Sequence, residues 1–399
     1  GDTFTLELWH GPTSAFKDIA LQMLPRLSSA SLEKTGETRD LAILVATSGD
    51  TGKAALEGFR DVPRTKIMVF YPEHGVSDVQ KLQMTTQDGA NVNVAAVVGN
   101  FDDAQTGVKR IFSDENFRAE LDARGTMLSS ANSINWGRLL PQIVYYVSAY
   151  CDLVSSGELE IGDPIDFCVP TGNFGNILAG YYARKMGLPI WRLICASNRN
   201  DVLRDFIATG VYDANREFYT TSSPSMDILV SSNLERLLYD LSGRDADAIR
   251  GYMQDLASTG KFEVARGTFE HISDLFEGGV CDDDETSAII ARVFRERGYL
   301  LDTHTAVAYG VLEKIRLRDG GAAKTVVVST ASPFKFVGSV LDALGERAEG
   351  DGFDMIDRLE QITDTTAPAP LKSLRGKHVR FTEVTEKDAL SASVRRFLE

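Results

Sequence analysis

Lys17 is the side chain of this sequence that is best suited to covalent chemistry. It follows an apolar segment punctuated by glycine and proline, residues 9–16, and it precedes an apolar helical pattern at residues 19–24. A lysine at such a junction is partly desolvated, which favours the neutral amine and therefore attack on a carbonyl carbon to give a Schiff base. The alternative is a surface lysine whose aliphatic stem covers apolar neighbours. The local sequence leaves both interpretations open.

Two glycine-rich turns follow the lysine, and each lies between an apolar strand pattern and a helical pattern. The first turn spans residues 47–53 after the apolar run 41–46, and the second spans residues 171–176 after the run 165–170. Glycine allows tight bends that bring backbone N–H groups close to an anion, and the start of a helix adds partial positive charge. The turns therefore predict sites for anionic groups. Each one taken alone is equally compatible with an ordinary loop capped by Thr or Ser.

A third candidate site contains Ser133, Asn135 and Arg138. Asn135 and Arg138 are three residues apart and hence on one helix face, and Ser133 is placed to cap the start of that helix. An arginine fork beside the N–H donors of a helix N-terminus suits a phosphate monoester dianion. The alternative is a helix cap followed by a surface arginine.

The elements that position these residues alternate between apolar runs and helical patterns, which predicts parallel sheets with crossover helices and an α/β fold. We expect a smaller domain at 1–152, a larger one at 153–349 and a C-terminal extension at 350–399. Strands are predicted near 41–46, 66–71, 92–98, 126–128, 165–169, 189–195 and 324–329. Helices are predicted near 52–60, 77–86, 102–120, 136–150, 176–186, 201–209, 233–241, 285–297 and 306–318.

Composition and charge narrow the class of protein. The 399 residues are enough for two or three domains with real cores, and 43% hydrophobic with 25% charged residues is typical of globular proteins. The sequence has no apolar run of membrane-spanning length and no signal-peptide pattern at its start, so we expect a cytoplasmic protein that does not bind membranes. A net charge of −15 argues against nucleic acid as a partner. The four cysteines are widely separated, which predicts neither a disulfide framework nor a metal site.

Five blocks extend over most of the chain: HGPTSAFKD at 10–18, ATSGDTG at 46–52, SANSINWGR at 130–138, PTGNFGN at 170–176 and STASPFKF at 329–336. In order and approximate spacing they resemble the threonine synthases of the bacterial and fungal branch, which are pyridoxal-phosphate enzymes of fold type II. The resemblance implies two three-layer, parallel-sheet domains of the tryptophan synthase β-like class, with pyridoxal 5′-phosphate in the cleft between them. It also implies a segment ahead of the lysine block, so we expect the smaller domain to lack its upstream part.

The resemblance gives a role to each block, with Lys17 as the covalent and proton-transferring residue. The implied cofactor-binding residues are Lys17, Asp50, Gly172, Asn173, Phe174, Gly175, Asn176 and Thr330. The implied substrate-binding residues are Thr47, Ser48, Thr51, Ser133, Asn135, Arg138 and Lys335. Asp50 would repel a substrate carboxylate unless it is protonated or paired, and Lys335 is equally compatible with a surface position at a helix start.

Three further residues lie within or beside these blocks. Lys53 adds positive charge beside the first glycine-rich turn, as an acidic chain with an anionic substrate requires. His304 lies in a segment that matches a further family block, and His10 lies in the first block. For both histidines we expect a positioning hydrogen bond and not proton transfer, because Lys17 already supplies a mobile base.

The implied reaction converts O-phospho-L-homoserine and water into L-threonine and phosphate, in a monomer or weak homodimer. One alternative is another fold type II reaction, such as that of a Ser/Thr dehydratase or a β-replacing synthase, which needs no site for a substrate phosphate. A second alternative is a non-catalytic relative that binds the cofactor or phosphorylated ligands. Loss of Lys17 or Thr330 would mark such a relative, and both residues are present.

Overall fold

The computed structural model describes residues 2–47, 49–74, 76–320 and 323–399. The chain divides into two compact units. The larger unit combines the residues up to Leu8 with Gln142–Ala348, and the lysine unit combines Trp9–Pro141 with Glu349–Glu399.

The strands of the described residues are β1 Thr3–Glu7, β2 Asp40–Ala46, β3 Thr65–Pro72, β4 Val92–Val98, β5 Thr126–Ser130, β6 Ile165–Pro170, β7 Ile190–Ser197, β8 Val211–Asp213, β9 Lys261–Glu263, β10 Phe276–Val280, β11 Thr325–Ser329 and β12 Glu383–Glu386. The α-helices are α1 Lys17–Thr35, α2 Asp50–Phe59, α3 Asp78–Thr85, α4 Phe101–Ser113, α5 Glu115–Ala123, α6 Trp136–Leu139, α7 Ile143–Ser155, α8 Gly175–Lys185, α9 Val202–Thr209, α10 Leu234–Leu241, α11 Ala246–Thr259, α12 Arg266–Ser273, α13 Asp283–Arg297, α14 Thr303–Asp319, α15 Val337–Ala343, α16 Gly352–Thr363, α17 Ala369–Lys372 and α18 Leu390–Leu398.

The larger unit contains a parallel sheet in the order β1-β11-β6-β7-β10. Every residue of its inner strands β6 and β11 is buried. Continuous burial is typical of parallel strands that are covered on both faces. A separate antiparallel pair joins β8 to β9.

The lysine unit contains a second parallel sheet in the order β12-β4-β3-β2-β5. Successive side chains of β2 enter two different cores, because neighbouring residues of a strand point to opposite faces. Ile43 packs in the core that also contains Leu21 of α1 and Leu56 of α2. Leu44 packs in the core that contains Val108 of α4. Helices therefore cover both faces, and the expected α/β architecture with two parallel sheets is confirmed.

Two of the predicted helices are interrupted. The pattern at 102–120 divides into α4 and α5, because the Asp114 side chain accepts a hydrogen bond from the N–H of Phe117 at 3.0 Å and caps a new helix. The pattern at 136–150 divides into α6 and α7 through a 3₁₀ turn at Leu140–Gln142. Pro141, which has no N–H group to donate, lies in that turn.

The two units also differ from the predicted domain bounds of 1–152, 153–349 and 350–399. Strand β1 joins the larger unit because it pairs with β11, from Thr3 opposite Thr325 to Glu7 opposite Ser329. The C-terminal residues belong to the lysine unit because β12 pairs with β4. No helix of the described ranges combines the length and the apolar character needed to cross a membrane.

Candidate active site

Lys17 is the first residue of α1, and the loop before it folds around the neighbouring Asp18. The N–H of Thr13 donates to Asp18 Oδ2 at 2.8 Å, and the Thr13 hydroxyl donates to Oδ1 of the same carboxylate. A side chain at Gly11 would meet this carboxylate, since a Cβ there would lie 2.5 Å from Asp18 Oδ2. The Lys17 side chain is 12% exposed, and its Nζ lies 3.8 Å from Asp50 Oδ2. A partly desolvated amine beside a carboxylate fits the predicted chemistry better than an ordinary surface lysine does.

The first glycine-rich turn leads from β2 into α2. The Thr47 hydroxyl oxygen accepts hydrogen bonds from the N–H groups of Gly49 and Gly52, at 3.0 and 2.9 Å, and so shapes the turn from within. Asp50 begins α2, is buried, and accepts a hydrogen bond from Gln80 Nε2 at 2.8 Å. Thr51 is the half-buried second residue of the helix, and the predicted Ser48 lies outside the described residues.

Lys53 does not supply free positive charge to this turn. Its buried Nζ donates to Glu57 at 3.1 Å and also to the Gln87 side-chain oxygen. Burial lowers the pKa of Lys53, and the nearby Glu57 carboxylate opposes that shift. The charge of Lys53 is therefore balanced by Glu57, and its side chain connects α2 to Gln87, which follows α3.

The third block forms the short helix α6. Asn135, and not Ser133, caps this helix, because Asn135 Oδ1 accepts from the N–H of Gly137 at 2.9 Å. Arg138 is only 6% exposed, and its Nη1 donates to the Ala131 carbonyl at 2.9 Å. Burial lowers the pKa of Arg138 to about 10. Arg138 is therefore a buried cation at a helix start, which excludes the alternative of a surface arginine.

Helix α6 lies directly against α1. A Cβ at Gly137 would lie 2.5 Å from Leu24 Cδ1 of α1, so a side chain there would have to displace the end of the leucine. Helix α1 also touches α2 at Gly58, where a Cβ would lie 1.9 Å from the Leu21 carbonyl oxygen. Two close contacts thus fix the helix that begins with Lys17.

In the larger unit, the second glycine-rich turn connects β6 to α8. Phe174 has a φ of 63°, which is unusual for a residue with a side chain. Its buried ring packs against Phe276 with centroids 5.5 Å apart and holds this conformation. Gly172 approaches another backbone segment, since a Cβ there would lie 2.7 Å from the Ser225 carbonyl oxygen. Asn233 donates from its N–H and from Nδ2 to the Asn173 carbonyl, at 3.2 and 2.9 Å.

Asn176 lies in the first turn of α8, and its side-chain oxygen and nitrogen differ in their hydrogen bonding. Its Oδ1 accepts from the hydroxyls of Tyr145 and Tyr146 at 2.6 and 2.7 Å. Burial raises the pKa of both tyrosines well above the usual value, so both hydroxyls remain donors. Its Nδ2 is buried and has no hydrogen-bond partner within the described residues. This amide is a fixed donor suited to an anion at the helix start.

Three further residues of the larger unit, Thr330, Lys335 and His304, are buried. Thr330 directly follows β11, as expected. Lys335 is 2% exposed, which excludes the alternative of a surface residue. His304 uses both ring nitrogens within the protein: Nε2 accepts from the N–H of Ser225 at 3.2 Å, and Nδ1 lies 3.0 Å from Asp302 Oδ1. This pairing agrees with the expected positioning role.

Two kinds of contact could not be found by motif. Gln80 follows Ser77 by three residues, a spacing typical of a capping box that would direct its side chain back to Ser77. Its Oε1 accepts from the Ser77 hydroxyl at 3.2 Å, while its Nε2 donates to Asp50 on another helix, a contact that the spacing does not indicate. The tyrosine pair of α7 belongs to no motif, and Asp18 ends the first block without a predicted role. Within the parts of the chain that the structure describes, no group of three or more His, Cys, Asp or Glu side chains is placed to hold a metal ion.

Two protein-family models match the sequence. One is described as a pyridoxal-phosphate dependent enzyme and matches residues 4–332, which is most of the chain. The other is described as the C-terminal region of threonine synthase and matches residues 305–397. The fold and the family match thus place the chain among the pyridoxal-phosphate dependent enzymes.

Similarity to individual proteins narrows the family further, to the threonine synthases. A threonine synthase of Pseudomonas aeruginosa is 45% identical over 339 residues, which cover 84% of this chain and 68% of that protein. The crystal structure of PLP-bound threonine synthase from Brucella melitensis has a TM-score of 0.86 and 40% identity, covering 100% of this chain and 79% of that one. The chain belongs to the threonine synthase family.

Threonine synthase-like 1 of Homo sapiens is also 45% identical, over 351 residues, which cover 86% of this chain and 46% of that protein. The chain therefore spans about half the length of this curated relative.

The second glycine-rich turn fits the phosphate of the family's cofactor, pyridoxal 5′-phosphate. Close packing at Gly172 leaves no room for a side chain, as a turn that wraps an anion requires. The buried Nδ2 of Asn176 supplies a donor that the described residues leave unsatisfied. The first turn of α8 adds N–H groups that have no acceptor inside the helix.

Proposed function

We propose that this protein catalyses the conversion of O-phospho-L-homoserine and water into L-threonine and phosphate. One observation carries the proposal: the lysine unit combines a partly desolvated lysine with a buried arginine, on helices that touch. Lys17 begins α1, Arg138 lies in α6, and Leu24 and Gly137 bring these two helices together. A dehydratase acting on serine or threonine has no substrate phosphate that would require the arginine.

Pyridoxal phosphate, when bound, supplies an electron sink for charge that develops on the substrate carbons. Lys17 would hold the cofactor covalently through Nζ and, once released by the substrate amine, would take the proton from Cα. A proton also leaves Cβ as phosphate departs from Cγ. Protons would then be returned to Cγ, which becomes the methyl group, and to Cα, while the oxygen of water is added at Cβ and its remaining proton leaves with the phosphate. We assign these proton transfers to the mobile Lys17 amine, which is partly desolvated and begins α1.

The other predicted residues would bind and orient the cofactor and the substrate. In this proposal Asn176 and the turn 172–176 hold the cofactor phosphate, while Asp50 and Thr330 contact the cofactor ring. The substrate carboxylate is assigned to the loop of Thr47, Ser48 and Thr51, and the substrate phosphate to Ser133, Asn135, Arg138 and Lys335. Burial supports the last assignment for Arg138 and Lys335, because a desolvated cation gains more from a phosphate than an exposed one does.

The direct test is incubation of purified protein with O-phospho-L-homoserine and pyridoxal phosphate, while inorganic phosphate and threonine are followed together. We expect the two products in equal amounts. Release of ammonia from serine or threonine, with no phosphate released from phosphohomoserine, would favour the dehydratase alternative.

Lys17→Ala tests the catalytic assignment. We expect loss of turnover and of the visible absorption of the bound cofactor, because no other group replaces the covalent link. Lys34→Ala, at an exposed lysine in the last turn of the same helix, is the matched control and should retain both. Retained absorption in Lys17→Ala would assign the link to another lysine.

Two finer expectations remain part of this proposal. The protein would act in the cytoplasm, where its four free cysteines stay reduced, and it would be a monomer or weak homodimer. Cell fractionation tests the first expectation, and light scattering over a concentration series tests the second.

A further inference from the structure

Gln80 of α3 connects to the reactive lysine through one carboxylate. Gln80 Nε2 donates to Asp50 Oδ1 at 2.8 Å, and Asp50 Oδ2 lies 3.8 Å from Lys17 Nζ. Ser77 Oγ donates to Gln80 Oε1 at 3.2 Å, which determines which end of the amide faces Asp50. Gln80 and Asp50 are both buried, so little water competes for the bond.

Gly49 makes room for this amide. Its φ of 149° lies where residues with side chains are strained, and a Cβ there would lie 2.6 Å from Gln80 Nε2. The glycine of the first turn therefore does more than bend the backbone. It lets the side chain of α3 reach the first residue of α2.

Asp50 and Lys17 are the ionisable groups that face each other at this point. The other charged side chains nearby on α1, α2 and α3 have other partners or are exposed. Asp18 accepts a hydrogen bond from Thr13, and Lys53 forms an ion pair with Glu57. Asp78 and Lys81 are exposed. The Gln80 amide is therefore one donor, and the Lys17 amine one cation, on which the charge of Asp50 depends.

We propose that Gln80 is a positioning residue, which keeps Asp50 ionised as the counter-charge for a protonated nitrogen at Lys17. The inference rests on the proposed function, in which Lys17 is linked to the cofactor. An N–H donor favours the charged form of a buried carboxylate, and a nearby carboxylate favours the protonated form of the nitrogen. Removal of the Gln80 amide should therefore weaken the hold of the Lys17 nitrogen on its proton.

The test is the pH midpoint of the visible absorption of the protein with bound pyridoxal phosphate. We expect Gln80→Leu to lower this midpoint by about one pH unit, a tenfold loss of proton affinity. Gln83→Leu is the matched control, because Gln83 is a buried amide of the same helix that bonds the Thr13 carbonyl and not Asp50. Its midpoint should equal that of the unmodified protein.

A double substitution separates this role from a merely structural one. In an Asp50→Asn background, Gln80→Leu should cause no further shift, because the charge that Gln80 stabilises is already absent. An unchanged midpoint in Gln80→Leu, or an equal shift in the Asp50→Asn background, would overturn the proposal.

Gln80→Glu covers the case in which Gln80→Leu does not fold. Its carboxyl group either donates to Asp50 when protonated or adds negative charge when ionised, so the midpoint should stay or rise, and a fall would overturn the proposal. If the midpoint lies outside the pH range of the folded protein, the pH dependence of Lys17 labelling by an amine reagent, in cofactor-free protein, gives the same comparison.

Failure of the proposed function gives a different result. Visible absorption that persists in Lys17→Ala contradicts the covalent assignment itself, whatever Gln80 does.

Discussion

Asn176→Asp isolates the contact between the second glycine-rich turn and the cofactor phosphate. The substitution keeps the oxygen that accepts from Tyr145 and Tyr146, and it replaces the unpartnered Nδ2 donor with a second oxygen. Loss of a hydrogen bond to a charged group costs about 1.5–3 kcal/mol. A carboxylate about 4 Å from a phosphate adds repulsion of about 4 kcal/mol at an effective dielectric constant of about 20. Since about 1.4 kcal/mol is a tenfold change, we expect cofactor affinity to fall by more than about a hundredfold.

The assay compares two ligands and two substitutions. Pyridoxal phosphate and pyridoxal are titrated into cofactor-free protein, and the loss should be confined to pyridoxal phosphate because pyridoxal has no phosphate to repel. The cofactor-free Asn176→Asp protein should unfold at nearly the original temperature. Asn176→Leu removes the side-chain acceptor of both tyrosines but leaves Tyr145 the Gln142 Oε1 and Tyr146 the Asn176 carbonyl, each at 3.0 Å, so it should lower stability by only about 0.5–1.5 kcal/mol for each bond lost. Equal loss of both ligands in Asn176→Asp, or loss of neither, would refute the assignment of this amide to the phosphate.

Three further predictions test other contacts. Gly58→Ala should lower the free energy of unfolding in chemical denaturant by about 1–3 kcal/mol, because the added Cβ would meet a backbone oxygen of α1. Gly251 has open space around it, so Gly251→Ala should not lower the free energy of unfolding. Arg138→Lys should raise KM for phosphohomoserine by about tenfold or more, since lysine keeps the charge but loses the bidentate fork; an unchanged KM would remove the residue from the substrate site. Asp227→Ala should lower the free energy of unfolding by about 3 kcal/mol or more and should also weaken pyridoxal phosphate binding. Asp227 accepts hydrogen bonds from Asn198, Asn200 and Thr221, and these bonds hold the segment that packs on Gly172.

The inner strands could be predicted from the sequence because parallel strands covered on both faces are continuous apolar runs. The run at 165–169 became β6 and the run at 41–46 became β2. Strand β10 escaped prediction because Phe276–Val280 contains two adjacent glycines, and β12 because its four residues include two glutamates. These strands form through pairing with β7 and β4, which no local pattern records.

The positions of Lys17 at a loop-to-helix junction and of Asn176 at the start of a helix could be predicted, because each follows a glycine-containing motif and precedes an apolar helical pattern. The burial of charged site residues could not be predicted, because helical periodicity shows which residues share one face of a helix but not which elements pack against that face. Arg138 and Lys335 each had a surface alternative in the sequence that only tertiary packing excludes. Gln80 shows the same limit, since its local spacing predicts a cap while its side chain reaches another helix.

The central claim is a covalent bond between the cofactor and Nζ of Lys17. Borohydride reduction of the protein with bound pyridoxal phosphate, followed by peptide mapping, tests it most directly. We predict that the pyridoxyl group appears on the peptide that contains Lys17 and that this labelling disappears in Lys17→Ala. A label on another lysine, or no label with pyridoxal phosphate in excess, would contradict the account.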